Sequence, residues 1–403
     1  MAEIKLLAGS AYPERRLHLT YCTNVHPGQS LEEMTGYLTT DTALIKKAVF
    51  PDRPMALGLR IGTQQAEELL GVPAPTQQVA QVLLDDALYG LAPSAKLESF
   101  GAELKRLGHY LWAVNAFPIQ DFHAPRVKEE VYQPDWTQPA RAASTVWIAR
   151  VLAALLGDRP EGSLSVPTGV FKGIPDAADK TAACAEMIAL TAAALEKLRR
   201  VTGKTIRVGL EPEPFTTGET TPEFLAYYKD ALLPAGVARM TKEFGLSREA
   251  ADTAYRNLIG VNLDLCHQAI EFEDIAVSLT QLHDAGIRVL GVHVASALAV
   301  NDFSNPSQVI EYLHHFNEPR YLHQVVGRRR DQAALLHWPD LPDFFKFPTA
   351  FLQDIASIRV HFHVPIFCEK MGPLDTTQRS IVPALTKAAA LGICDTWMIE
   401  TYT

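Results

Sequence analysis

A chain of 403 residues is long enough for one large barrel or for two ordinary domains. Hydrophobic residues make up 47% and charged residues 21%, the balance of a water-soluble globular protein, and no uncharged apolar stretch reaches the roughly 18 residues a membrane span needs. A net charge of -9 speaks against nucleic acid or an anionic membrane as partner, because both draw their affinity from a positive surface.

The opening MAEIKLLAGSAYPERR lacks the apolar core of an export signal, so a cytoplasmic protein is expected. The first apolar run, LHLTYC (17 to 22), reads as a buried strand and ends among Tyr21, Thr23, Asn24 and His26. Ser30 and Glu33 then form the pattern of a capping box, which starts a helix. ALGLRI (56 to 61) brings Arg60 to a strand end, YLWAVNAF (110 to 117) brings Asn115, and SLSVPTG (163 to 169) follows. AACAEMIALTAAALEKLRR (182 to 200) has the Ala, Leu, Glu and Lys content of a helix. TIRVGLE (205 to 211) ends in Glu211, with Glu213 two residues on and Pro212 and Pro214 stiffening the exit. Thr221 with Pro222 fits an N-cap followed by a first-turn proline. IGVNLDL (259 to 265) closes on Asp264, with Cys266 and His267 next, and a buried carboxylate of this kind demands a partner. IRVLGVHVAS (287 to 296) carries His293 and Ser296.

From 298 to 358 the rhythm breaks into a stretch rich in proline, aromatics and charge. It reads as an insertion over the barrel rim, a lid in which Tyr321, His323, Trp338 and Phe344 suit a small ligand, or else an oligomer contact. Its basic run, Arg328 to Arg330, reads as a solvated loop. RVHFHVPIF (359 to 367) places His361 and His363 on one side of a strand, and TWMIETYT (396 to 403) brings Glu400 to the last strand end.

Eight apolar strands alternating with helices favour a parallel sheet closed into an α/β, (β/α)8 TIM barrel, here one domain over 1–403 with the 298–358 insertion before the last helix and strand. The open doubly wound alternative lacks its usual GxGxxG or GxxxxGK[ST] loop. Reacting groups of such a barrel gather at the carboxyl ends of the strands, and a divalent cation suits the acids and imidazoles found there. Five scattered cysteines without a CxxC pair are expected to be reduced.

LEPEP, DLCH, the HV of GVHVAS, FHVP and ETYT resemble the Glu, Asp-x-x-His, His, His and Glu run of the xylose-isomerase-like barrels, which include sugar isomerases, sugar epimerases and apurinic-site endonucleases. LTYCTNVHPG, VKEEVYQPDW, YLHQV, HFHVPIF and ETYT resemble, more narrowly, the EboE-type metabolite traffic proteins across most of the chain. The narrow resemblance implies a bacterial operon that moves a secondary-metabolite precursor, and it brings no assigned reaction. The broad one implies metal ligands at Glu211, Asp264, His267, His293 or His363, and Glu400. Ser296 and Asn115 stand where that family's usual Asp and a second His would be, which points to one metal rather than three. Carboxylate with imidazole favours Mn²⁺ or Zn²⁺ over Mg²⁺.

The leading expectation is a metal-dependent isomerase or epimerase of a small polyhydroxylated or carbonyl metabolite. Glu211 and Glu400 would exchange protons with it, and Tyr21, Asn24, Arg60, Asn115 and His323 would hold it. Phe117 and Trp338, with Tyr21, would supply an apolar wall. A hydrolase of a small phosphate ester and a non-catalytic metabolite carrier are the alternatives, with a homo-oligomer or operon-encoded partners left open.

Overall fold

The computed structural model describes residues 3–5, 16–28, 30–119, 127–332 and 334–401. Most of the opening stretch and the last two residues of ETYT lie outside the described residues. Among the described residues, eight parallel strands pair in chain order: Arg16–Cys22, Met55–Arg60, His109–Asn115, Glu161–Pro167, Thr205–Glu211, Ile259–Asp264, Val289–Val294 and Thr396–Ile399. The eighth pairs with the first, Thr396 opposite His18, and closes a TIM barrel from the runs that the sequence singles out. Both faces of these strands are covered, and that is why Met55–Arg60 and Ile259–Asp264 are buried along their whole length. Inside the barrel Met398 packs with Cys22 and Ala113, and its thioether lies over Gly58, where a Cβ would stand 2.5 Å from the sulfur and make the methionine shift.

The capping box at Ser30 and Glu33 is present, and the alanine-rich helix runs Thr181–Thr202, stopped by Gly203 at φ 72°. The cap at the next helix is Thr220 rather than Thr221. Thr221 stands one residue further on, at the first helical position, where its hydroxyl lies 3.0 Å from Gln268 Oε1 and 3.1 Å from Glu273 Oε2. Cys22, Cys184 and Cys266 are buried, and all five cysteines are free thiols. Among the described residues no helix is long and apolar enough to cross a membrane.

A second sheet, six-stranded and antiparallel, leaves the barrel after the seventh strand. Its strands run from Ser296–Val300 through Val325–Arg329, Leu335–Trp338, Ile355–Val364 and Lys370–Met371 to Leu374–Thr376. The extra structure therefore extends past 358, because RVHFHVPIF completes an interior strand paired with both Ser296–Val300 and Val325–Arg329. This cap has its own apolar core, with Leu298, Val325, Phe344, Ile358 and Val360 all at most 1% exposed. Phe344 is thus a core residue, and Trp338 packs edge-on against it at 5.1 Å, so neither faces a ligand. Arg328 and Arg329 belong to a strand rather than a loop, but Arg328 and Arg330 are exposed as expected, with the Arg328 guanidinium 4.4 Å from the Phe272 ring centre.

Candidate metal centre and cavity

Glu211 ends the fifth strand, Asp264 ends the sixth, His293 stands one residue inside the end of the seventh, and Glu400 follows the eighth. One donor atom from each lies within 4.8 Å of all the others. His293 Nδ1 stands 3.1 Å from Glu211 Oε1, 2.7 Å from Glu400 Oε2 and 3.8 Å from Asp264 Oδ2. These are the spacings of donors that each sit roughly 2.0–2.2 Å from one ion. Asp264 and His293 are each 1% exposed, and the cluster opens outward through Glu211 and Glu400.

Three carboxylates so close together carry more negative charge than their surroundings offset. Among the described residues the ion-pair partners of Glu211 and Asp264 are His267 and His293, with no Lys or Arg. Burial opposes charge on His293, but Glu211 and Glu400 outweigh it and hold the imidazole well above its ordinary value. Asp264 Oδ2 and His293 Nε2 carry no hydrogen bond among the described residues. Asp264 Oδ1, in contrast, accepts from the amides of Cys266 at 2.6 Å and His267 at 3.0 Å, capping the short helix Leu265–Ile270. That answers why a core strand ends on a carboxylate: one oxygen starts a helix and the other faces the cluster.

Neighbouring groups hold this arrangement in place, and two of them, Ser165 and Asn262, are not singled out from the sequence. Asn262 donates to Glu211 Oε2 at 3.1 Å, and Ser165 donates to the same oxygen. A Cβ on Gly291 would sit 2.5 Å from Asn262 Oδ1, so the glycine of GVHV makes room for the residue that orients Glu211. Asn24 donates to Glu400 Oε1 at 3.2 Å. An asparagine in the middle of the apolar run IGVNLDL is the sequence signal that could have marked Asn262 for such a role.

His267 and His363 do not join the four-donor cluster. They form a neighbouring group with His361, whose ring centre lies 4.6 Å from that of His267. A bulge between Val360 and His363 brings these two imidazoles of the cap strand to face the barrel. His267 Nδ1 donates to the Pro212 carbonyl at 3.1 Å, and His361 Nδ1 donates to Gln324 Oε1 at 2.7 Å, so each turns its Nε2 elsewhere. Burial, then the charges of His267 and His363, keep His361 neutral, well below its ordinary value. Glu213 is buried beside them, its carboxyl pushed up to about 7 by that burial while Tyr132 donates to Oε1 at 2.8 Å.

A cavity of about 360 Å³ lies between barrel and cap, with Asn24, Asn115, Glu211, Glu213, His267 and Glu400 on the barrel side. Tyr321, Leu322, His323, Gln324 and Phe362 close it from the cap. Two residues expected to hold a substrate do not line it. Tyr21 directs its hydroxyl to His26 Nε2 at 3.1 Å, and Arg60, 2% exposed, donates to the carbonyls of Gly28 and Pro118. Both support the loops around the cavity from behind.

Fold and site together define a TIM barrel with a capped carboxylate and imidazole cluster at its carboxyl rim. No family model matches the chain, and no curated protein matches it. Among solved structures it is similar to D-allulose 3-epimerase from Methylomonas sp. in complex with D-allulose, at 15% identity over 77% of this chain and 84% of that one, TM-score 0.37. It is also similar to a xylose isomerase domain protein from Alicyclobacillus acidocaldarius, at 13% identity over 69% and 73%, TM-score 0.36. A third is a xylose isomerase-like TIM barrel protein from Mycobacterium smegmatis in complex with magnesium, at 12% identity over 61% and 79%, TM-score 0.33.

Proposed function

We propose that this protein is a metal-dependent isomerase or epimerase of a small carbonyl or hydroxyl compound, with one divalent cation held by Glu211, Asp264, His293 and Glu400. The observation that carries the reading is the convergence of three carboxylates on His293 Nδ1 at 2.7 to 3.8 Å, with Asp264 Oδ2 left without a hydrogen bond among the described residues. Three oxygens and an imidazole suit Mn²⁺ or Zn²⁺ better than Mg²⁺. When bound, the cation supplies Lewis acidity toward a substrate oxygen. Asn24 and Asn115 orient substrate hydroxyls, and proton exchange falls to the carboxylates that face the cavity, Glu211, Glu213 and Glu400. The cap excludes water from the reacting carbon. A part in moving a metabolite precursor, as the EboE-type resemblance implies, would use the same cavity.

Metal analysis of protein purified without chelator is the first test, and close to one equivalent is expected. Less than about a tenth of an equivalent, with none gained on incubation, would sink the reading, since such donor sets bind tightly. Incubation of candidate hydroxyketones in deuterated water is the second test. Deuterium entering at carbon supports the isomerase, while a bound cation with no exchange for any candidate turns the reading toward the carrier.

A further inference from the structure

The polar groups of the cavity differ between its two sides. On the cap side they are already committed to one another. Both ring nitrogens of His323 are engaged, Nδ1 with the His361 carbonyl and Nε2 with Glu318 Oε1, each at 3.0 Å. Glu318 also accepts from the amides of Arg320 and Tyr321. Gln324 gives both amide hydrogens away, to Tyr132 Oη at 3.1 Å and the Pro214 carbonyl at 3.3 Å, and its oxygen accepts from His361. Lys128, which lines the same side, donates to Asp340 Oδ2 and the Tyr321 carbonyl, both at 2.6 Å. Arg320 is half-exposed, its guanidinium over the Tyr321 ring and hydrogen-bonded to the Tyr321 hydroxyl. What this side and the adjoining wall present to a ligand is therefore apolar: Leu322, Phe362, Phe117, Pro118 and Val131.

The barrel side has capacity to spare. Asn115 Oδ1 carries no hydrogen bond among the described residues, and the Nε2 atoms of His267 and of His361, which reaches this side from the bulged cap strand, are turned away from their fixed Nδ1 partners. A molecule with hydroxyls on every carbon would leave several of them desolvated and without partners against the apolar wall, and each such hydroxyl costs affinity.

We propose that the ligand is amphiphilic, with a vicinal pair of oxygens at the barrel side and an apolar, unhydroxylated body against Leu322, Phe362, Phe117 and Val131, rather than a free sugar. The inference rests on the functional reading above for which end enters first, but its readout does not need catalysis.

Calorimetric titration of the intact protein, metal-loaded and chelator-treated, with cis-cyclohexane-1,2-diol and with myo-inositol tests it. The two probes share a six-membered ring and vicinal oxygens and differ in four further hydroxyls. The diol is expected to bind at least tenfold more tightly. Leu322→Asn, at a half-exposed position, should bring the ratio below threefold with metal content unchanged, and Val131→Asn, on a different segment, serves if that variant does not fold. Equal or tighter binding of inositol overturns the proposal, and so does failure of both probes to bind at their solubility limits. A protein that takes up no cation yet prefers the diol keeps this inference and loses the functional reading; one that takes up the cation without the preference does the reverse.

Discussion

Changing Asp264 in two ways separates its two tasks. Asp264→Ala removes the acceptor of two buried amides, those of Cys266 and His267, as well as the oxygen that faces the metal cluster. Hydrogen bonds to a charged acceptor contribute about 1.5–3 kcal/mol each, and lost caps cost about 0.5–2 kcal/mol. Relief of repulsion from Glu211 and Glu400 offsets part of that, so the metal-free alanine variant should lose about 2–3 kcal/mol. Asp264→Asn keeps an oxygen for the cap and removes only the charge, so the metal-free protein should stay within about 1 kcal/mol of the parent. Its metal affinity should fall at least about 100-fold, or about 2.8 kcal/mol. Urea unfolding of chelator-treated protein reads the first effect, and competition against a metal indicator reads the second. If Asn destabilises the metal-free protein as much as Ala, the division of labour between Oδ1 and Oδ2 is wrong; if Asn binds metal as the parent does, Asp264 is no ligand.

Glu211→Gln should weaken metal binding while leaving the metal-free fold intact, which the same competition assay checks, and chelation of the parent should lower its unfolding free energy by about 2.7 kcal/mol if the cation is present at about 100 times its Kd. Lys128→Met leaves Asp340 buried without its cation and should destabilise the cap by about 3–5 kcal/mol, with partial recovery in the Lys128→Met, Asp340→Leu double variant, both measured by urea unfolding. His337, on a cap strand, meets Glu271 of the barrel at 3.3 Å, and that hydrogen bond raises its pKa above the ordinary value. The contribution is complete below the unfolded value of about 6.5 and fades as pH rises through the raised folded value, so the protection factors of the Leu335–Trp338 amides, corrected for the intrinsic pH dependence of exchange, should fall as pH rises above about 6.5. His337→Gln should abolish that pH response, and an unchanged response would show that the contact does not secure the strand.

The barrel was legible because its strands are apolar on both faces, which leaves uninterrupted runs such as ALGLRI and TIRVGLE. The donors were legible for a related reason: a carboxylate or imidazole is conspicuous at the end of such a run, as Asp264 and His293 are. What surrounds them was not. Ser165 and Asn262 reach Glu211 from neighbouring strands, and only the register of the closed sheet decides that contact. Which histidine joins the cluster also depends on a bulge at 361–362, and local sequence does not announce it. The aromatics of the insertion misled in the opposite direction, because Trp338 and Phe344 serve a core of the cap's own, and the alternating pattern of RVHFHVP belonged to an interior strand of that sheet.

The cap's position in the chain also sets an order of assembly. Synthesis proceeds from the amino end, so Glu211, Asp264 and His293 are made first, then the whole cap from Ser296 to Thr376, and only afterwards the strand that carries Glu400. Pairing of that strand with His18 must bridge nearly the full sequence, a contact of the slow, non-local kind. A growing polypeptide therefore holds three of the four clustered donors and a finished roof before the fourth is made, so a cation held as proposed would gain its last ligand only with the closing strand. On the proposed function, metal uptake would mark the end of folding, and a chain stalled within the cap would be recognisable as the one that has not acquired it.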